Sequence, residues 1–196
     1  MIFNYCFFFQ FPTTQHEWEE IAKEFERVWQ FPHCVGAVDG KHVKIVPPPD
    51  SGSFYYNFKG FHRMVKMGIG NAKYEFILCD FGINGRISDG GVINRTAFYD
   101  KLSKGQLNLP QENKIEGSEK VLPYVFIGDE AFAMRTDFLR PFGQKDLTNE
   151  RRIFNYRLSR ARRIIENIFG ILVSRFHIFQ TAINLLPRNT KTVVLA

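Results

Sequence analysis

The chain has 196 residues, is 44% hydrophobic and carries a formal net charge of +6 with a pI near 9.3. That length holds one sizeable core and leaves a second domain cramped, while the basic balance favours a polyanionic partner. Cys6, Cys34 and Cys79 are odd in number and lack paired spacing, which argues against a disulfide framework or a zinc site and fits a reducing intracellular compartment.

From Met1 to Phe11 the sequence is dense in phenylalanine, but this run falls short of the roughly 20 apolar residues that span a bilayer and lacks the basic start and small-residue cleavage site of a signal peptide. No membrane role follows. Thr13 and Thr14 precede Glu17 as a capping arrangement, and Trp18, Ile21, Ala22, Phe25 and Trp29 continue at helical spacing, which predicts a leading helix. The apolar runs Val35–Val38 and Val43–Val46 flank Asp39, Gly40, Lys41 and His42, so Asp39 is predicted mid-strand or on a bulge. A loop follows at Pro47–Ser53. Met64–Gly70 and Tyr74–Ile83 then read as two strands joined near Asn71–Lys73, completing a three-stranded antiparallel start.

Ser88-Asp89-Gly90-Gly91 is predicted to cap one helix running through Ala97, Phe98 and Leu102, and the polar stretch from Ser103 to Lys120 has no period and reads as a surface loop. Tyr124–Gly128 reads as a buried parallel strand whose carboxyl tip is Asp129, with a short further strand within Asp137–Phe142. The strands bearing Asp39 and Asp129 are expected side by side. Phe154, Leu158, Ala161, Ile165, Ile168 and Leu172 recur at spacings of four and three and define a long helix. At roughly 100° per residue, Glu166 falls on one flank of that stripe with Asn155, Arg162 and Phe169. The chain divides into an N-terminal segment with the leading helix, residues 1–32, and a main domain, residues 33–196.

Three carboxylates in one cleft repel one another unless a cation is present, and such hard oxygen donors suit Mg²⁺ or Mn²⁺. Two ions about 3.5–4 Å apart serve phosphodiester chemistry, so metal-dependent DNA cleavage is the function these residues suggest. Taken alone, Glu166 reads as an ion-pair partner of Arg162 on a solvated helix face. Asp89 reads as a helix cap, Asp80 as a turn aspartate with a lesser claim as a ligand, and Glu130 as pointing away from Asp129. His33, His42 and His62 lack zinc-ligand spacing. Of the arginines at 151, 152, 157, 160, 162 and 163, Arg157, Arg160 and Arg163 lie away from Glu166. Arg162 is placed to hold a phosphate or orient the carboxylate, and Lys41 and His42 are further candidates for DNA contact. Tyr55, Tyr56 and Phe58 beside Lys59 offer stacking surfaces for bases, with strand packing as their plainer role.

The motifs Gly-Ala-Val-Asp-Gly-Lys-His at 36–42, Gly-Ser-Phe-Tyr-Tyr-Asn at 52–57, Asp-Phe-Gly-Ile-Asn-Gly-Arg-Ile-Ser-Asp-Gly-Gly at 80–91, Gly-Asp-Glu-Ala-Phe at 128–132 and Phe-Asn-Tyr-Arg-Leu-Ser-Arg-Ala-Arg-Arg-Ile-Ile-Glu-Asn-Ile-Phe-Gly at 154–170 follow in this order. In them the chain resembles the PIF/Harbinger superfamily of DDE transposases and their domesticated nucleases. The resemblance implies an α/β fold with an RNase H-like mixed sheet, flanking helices and a long late helix carrying the third carboxylate. It places the family's catalytic, metal-binding triad on Asp39, Asp129 and Glu166 and implies two Mg²⁺ or Mn²⁺ ions. It also implies DNA as substrate, a nuclear location with the cytoplasm open to a chain without its partner, and a Myb-like DNA-binding accessory protein. Full-length relatives carry an upstream helix-turn-helix segment and a longer closing helix. A catalytically inactive relic that binds DNA or protein is the alternative reading, and the sequence leaves the oligomeric state open.

Overall fold

The computed structural model describes residues 11–57, 60–84, 89–145 and 147–196. The Phe-rich start, the capping Ser88 and the Phe58–Lys59 pair fall outside them. The leading helix α1 (Gln15–Trp29) starts at a capping box: Thr14 Oγ1 accepts from Glu17 N, and the Glu17 carboxylate accepts from Thr13 N and Thr14 N at 2.8 and 2.9 Å. These backbone donors hold the Glu17 carboxyl down to about 2. The helix stops at Gln30, which turns left-handed at φ 55°.

Strands β1 (Cys34–Lys44), β2 (Arg63–Gly70) and β3 (Phe76–Asn84) follow. The helix predicted after them is two short ones, α2 (Asp89–Ile93) and α3 (Ala97–Ser103). Thr96 separates them, because its extended backbone and its hydroxyl, which accepts from Tyr99 N and donates to Ile93 O, start a fresh helix. The supposed surface loop contains β4 (Asn113–Lys114), which pairs with β5 (Val121–Leu122), and its Leu107 is buried, with the carbonyl accepting from Trp18 Nε1 at 2.8 Å. Two-residue strands are too short to show a period.

The chain continues through β6 (Val125–Ile127), β7 (Phe138–Leu139), α4 (Asn149–Arg175), a 3₁₀ turn at His177–Phe179 and α5 (Pro187–Leu195). In the sheet the order is β3-β2-β1-β6-β7; the pairs β3–β2 and β2–β1 are antiparallel, and β1–β6 and β6–β7 are parallel. A five-stranded mixed sheet of this order flanked by helices is the RNase H-like architecture. The expected adjacency of the Asp39 and Asp129 strands and the short strand within Asp137–Phe142 are both present. α5 stands where the resemblance implies a closing helix, but no period in the sequence marks it, since it buries only Thr190 and Val194 among mostly polar residues.

The sheet separates two apolar layers. Val38, Met67, Ile69 and Phe126 pack with Trp18, Phe98 and Leu102 on one face. On the other, Ala37, Val125 and Ile127 meet Leu158, Ala161, Ile164, Ile165 and Ile168 of α4. Each such aliphatic side chain contributes about 1.5–3 kcal/mol on burial. α4 comes close because β2 offers no side chain where it crosses: a Cβ on Gly70 would lie 2.3 Å from Ile168 Cδ1, and one on Gly68 would lie 2.9 Å from Phe169 Cζ. Phe169 is therefore buried in the contact and belongs with the apolar stripe. α5 covers the far end of the same face, where buried Lys66 donates to Val194 O at 2.8 Å and lies over the rings of Phe76 and Phe179. Burial lowers the Lys66 pKa.

Candidate active site

The register of the sheet brings the first two aspartates together. The last parallel pair between β1 and β6 is Ala37 with Ile127, and Asp39 and Asp129 each lie two residues further along their chains. Two residues on is the same side of the pleat, and Ala37 and Ile127 both face α4. Across the antiparallel pair Asp39 stands opposite Gly68, whose open α-carbon faces Phe169 of that helix. Asp39 thus lies mid-strand on the α4 face, and the bulge in β1 is further back, between Cys34 and Gly36.

Asp129 lies just past the end of β6, half-buried, and its Oδ1 accepts from Ala131 N at 2.9 Å, which fixes the turn that follows. The turn needs Gly128, where a Cβ would come within 2.6 Å of Phe132 and 2.8 Å of Phe138. Glu166 is exposed on the flank of α4, and its Oε1 accepts from Arg162 Nη2 one turn earlier at 2.8 Å. Burial pushes the Asp39 carboxyl above the usual carboxylate range. The Arg162 guanidinium and the Gly40 backbone draw it back, and the charges of Asp129 and Glu166 push it further up. Arg162, Asp129 and Glu166 therefore all act on Asp39, at one end of the sheet. Among the described residues, no three His, Cys, Asp or Glu side chains stand close enough to hold a single ion.

A cavity of about 330 Å³ opens beside this group, lined by Asp129, Glu130, Asn155, Ser159, Arg162 and the loop at Pro141 and Gln144. Asn155 pins that loop: its Oδ1 accepts from Phe142 N at 2.8 Å and its Nδ2 donates to Phe142 O at 2.9 Å. Asn155 and Ser159 extend the Arg162–Glu166 flank at steps of four and three. Ser159 was not singled out from sequence, although that spacing marks it. Glu130 is exposed, and its backbone carbonyl accepts from Arg140 Nη1.

The remaining candidates divide by face. Lys41 is two residues beyond Asp39 and shares its face; His42, opposite Val65, is on the other. Asp80 pairs with Met67, one step out of the row Asp39, Gly68 and Cys79, and its Oδ1 accepts from Phe81 N at 2.7 Å. Asp89 opens α2, and the residue before it is outside the described set. Tyr55 packs partly into the cluster under α5, and Tyr56 bridges to His62 with ring centroids 5.1 Å apart. Cys34 and Cys79 are buried free thiols, and burial raises the Cys34 pKa.

The stretch that holds the sheet and the long helix is matched by a family model. The DDE superfamily endonuclease model matches residues 38–196, and the chain belongs to that family. Two curated relatives are similar to it. One is the protein ALP1-like of Arabidopsis thaliana, 24% identical over 174 residues that make up 87% of this chain and 42% of the relative. The other is the putative nuclease HARBI1 of Rattus norvegicus, 22% identical over 192 residues that make up 96% of this chain and 51% of the relative. The chain thus spans about half the length of the curated relatives it matches. No solved structure gives a significant match. Among the described residues no helix is long and apolar enough to cross a membrane.

Proposed function

We propose that the chain is a transposase-derived DNA endonuclease in which Asp39, Asp129 and Glu166 hold two divalent cations, Mg²⁺ or Mn²⁺. The observation that carries this reading is the placement of Asp39, half-buried and mid-strand, beside the strand that ends at Asp129. The acids that act on Asp39 are the carboxylates of Asp129 and Glu166, oxygen donors that fit hard cations. Bound there, such ions supply Lewis acidity toward a phosphodiester.

The chain's own residues do the positioning. Asp39 is held by strand pairing on one side, Asp129 by its turn, and Glu166 by the seating of α4 on the two β2 glycines. Arg162 holds Glu166 in the free protein and offers its guanidinium to a phosphate oxygen when DNA enters the neighbouring cavity. Lys41, on the same face, adds a backbone contact to DNA, and His42 on the other face contributes a contact only if the duplex wraps the strand edge. Such contacts predict salt-sensitive binding with little sequence preference. Target choice then falls to a DNA-binding partner of the Myb-like kind, and the place of work is the nucleus.

Cleavage of supercoiled plasmid at low salt with Mn²⁺ or Mg²⁺ tests the reading. Metal-dependent nicking is expected from the wild type and is expected to vanish in Asp129→Asn and Glu166→Gln with folding intact. Nicking that persists in Asp129→Asn would refute the assignment. A second reading, an inactive relic that binds DNA or protein, has one observation in its favour: Glu166 is engaged by Arg162, and among the described residues no three ligands are gathered. Folded protein that takes up the metal and never nicks, even with a DNA-binding partner supplied, supports that reading.

A further inference from the structure

A larger cavity lies on the opposite flank of α4 from the carboxylates. It has a volume of about 600 Å³ and lies between the loop after α1, the β4–β5 hairpin, β7 and the first turns of α4. Its walls are Phe31, Leu122, Val125, Leu139, Ile153 and Phe154. Ile153 is 55% exposed and Leu122 40%. At roughly 100° per residue, Ile153 and Glu166 are about 140° apart around the helix, so the groove and the candidate active site do not share a wall.

Two arginines stand at the groove's rim: Arg157 lines it, and Arg160 donates to Gln30 Oε1 at its edge. Neither is in an ion pair with an acid among the described residues. Glu150, which also lines the groove, is engaged by the Thr148 hydroxyl at the start of the helix, and that contact lowers its pKa. Nucleic acid accounts for the arginines but not for walls of Phe, Leu, Val and Ile, which a phosphate backbone would leave unfilled and out of water. The uncharged segment 1–10 of this chain accounts for the walls but not for the rim.

We propose that this groove docks a segment of a partner protein that inserts at least two apolar side chains between α4 and the β4–β5 hairpin and turns Asp or Glu toward the α4 arginines. Apolar anchors give the affinity, and the unpaired guanidiniums select for acidic flanks and speed the encounter. The surface stands independently of the nuclease reading, because no groove residue belongs to the carboxylate cluster.

The test is selection of a displayed library of random short peptides on the full chain, followed by binding of the enriched peptides to purified variants. Expected are peptides combining two or more apolar residues with net negative charge, whose affinity falls at least about tenfold, or about 1.4 kcal/mol, in Ile153→Glu and in Arg157→Glu and is retained in Arg157→Lys. If Ile153→Glu melts early, Leu122→Glu on the facing wall takes its place. No enrichment, enrichment of basic peptides, or binding indifferent to the wall and rim variants overturns the proposal. So does displacement of the peptides by duplex DNA, which would assign the groove to nucleic acid. Self-association abolished by the wall variant would assign it to a second copy, and peptide binding seen only after removal of residues 1–10 would assign it to the chain's own start.

Discussion

The two halves of β1 obey different rules. From Cys34 to Val38 every residue is buried, with β6 paired alongside as far as Ala37 and β2 joining at Ala37; from Asp39 to His42 the strand keeps β2 but has outrun β6, whose last pair is Ile127 with Ala37. The first half is a packing problem solved by apolar side chains and glycines. The second half gains a cleft where a neighbouring strand is missing, and its charge is tolerable only because water and Arg162 still reach it. A functional carboxylate on a central strand therefore depends on where the next strand stops.

The contrast is broken most severely from the buried half. Phe126 stands beside Gly36, with Trp18 and Phe98 edge-on to its ring at 5.8 and 5.0 Å. Phe126→Ala is expected to cost about 3–5 kcal/mol, a large part of what holds a domain of this size. Urea unfolding measures it, and a loss under about 1 kcal/mol would mean that this layer is not the one anchoring the sheet.

Next comes the seating of α4. In Gly70→Ala the new methyl meets Ile168 Cδ1 at 2.3 Å with Ile165 Cδ1 at 3.4 Å, so either those side chains turn aside or the helix lifts. The expected cost is about 1–3 kcal/mol. A lift carries Glu166 away from the strands, so nicking activity is expected to fall although Asp39, Asp129 and Glu166 are untouched. Stability lost with full activity retained per folded molecule would separate the packing from the site.

These residues also show why part of the molecule was legible. The alternation around Asp39, the run ending at Asp129 and the stripe of α4 are long enough to impose a period, so the strands, their adjacency and the helix could be read in advance. The side of α4 carrying Arg162 and Glu166 followed from the same period. Thr96 dividing two helices, Leu107 buried within a polar stretch, and α5 with two buried positions carry no such signal. The Arg162–Glu166 pair, one turn apart on one helix, was legible too, but sequence could not show that Gly68 and Gly70 give α4 its approach, because that is a fact about distances between elements far apart in the chain.

Within the second half of β1, Asp39→Asn has a smaller effect of opposite sign. Burial raises the carboxyl above its unfolded value, so the folded chain keeps a proton that the unfolded chain has released. Stability is therefore expected to fall as pH rises from the unfolded carboxylate value, about 3.9, through the raised folded one, and to stay lower above it. In the absence of metal, Asp39→Asn is expected to remove that fall and melt a few degrees higher near neutral pH. Mg²⁺ or Mn²⁺ favours the ionised form, so the cation is expected to raise the melting temperature of the wild type and not of Asp39→Asn. Equal metal stabilisation of both would place the ion elsewhere.

The smallest expected change in stability concerns Arg162 and distinguishes an ion pair kept for stability from one kept for the site. Its partner Glu166 is about half exposed, and one-turn pairs of that kind contribute roughly 0.3–0.5 kcal/mol, so at a pH low enough to keep Asp39 protonated Arg162→Gln is expected to alter the melting temperature very little. Yet the guanidinium is the chief influence drawing the Asp39 carboxyl back down. Its removal leaves only the Gly40 backbone against burial and two neighbouring carboxylates, and the Asp39 carboxyl rises further. The pH window in which stability falls is then expected to extend upward in Arg162→Gln, and Asp39→Asn in the same background is expected to abolish the extension. A profile unchanged by Arg162→Gln would make the pair an ordinary surface contact and return Asp39 to the control of burial alone.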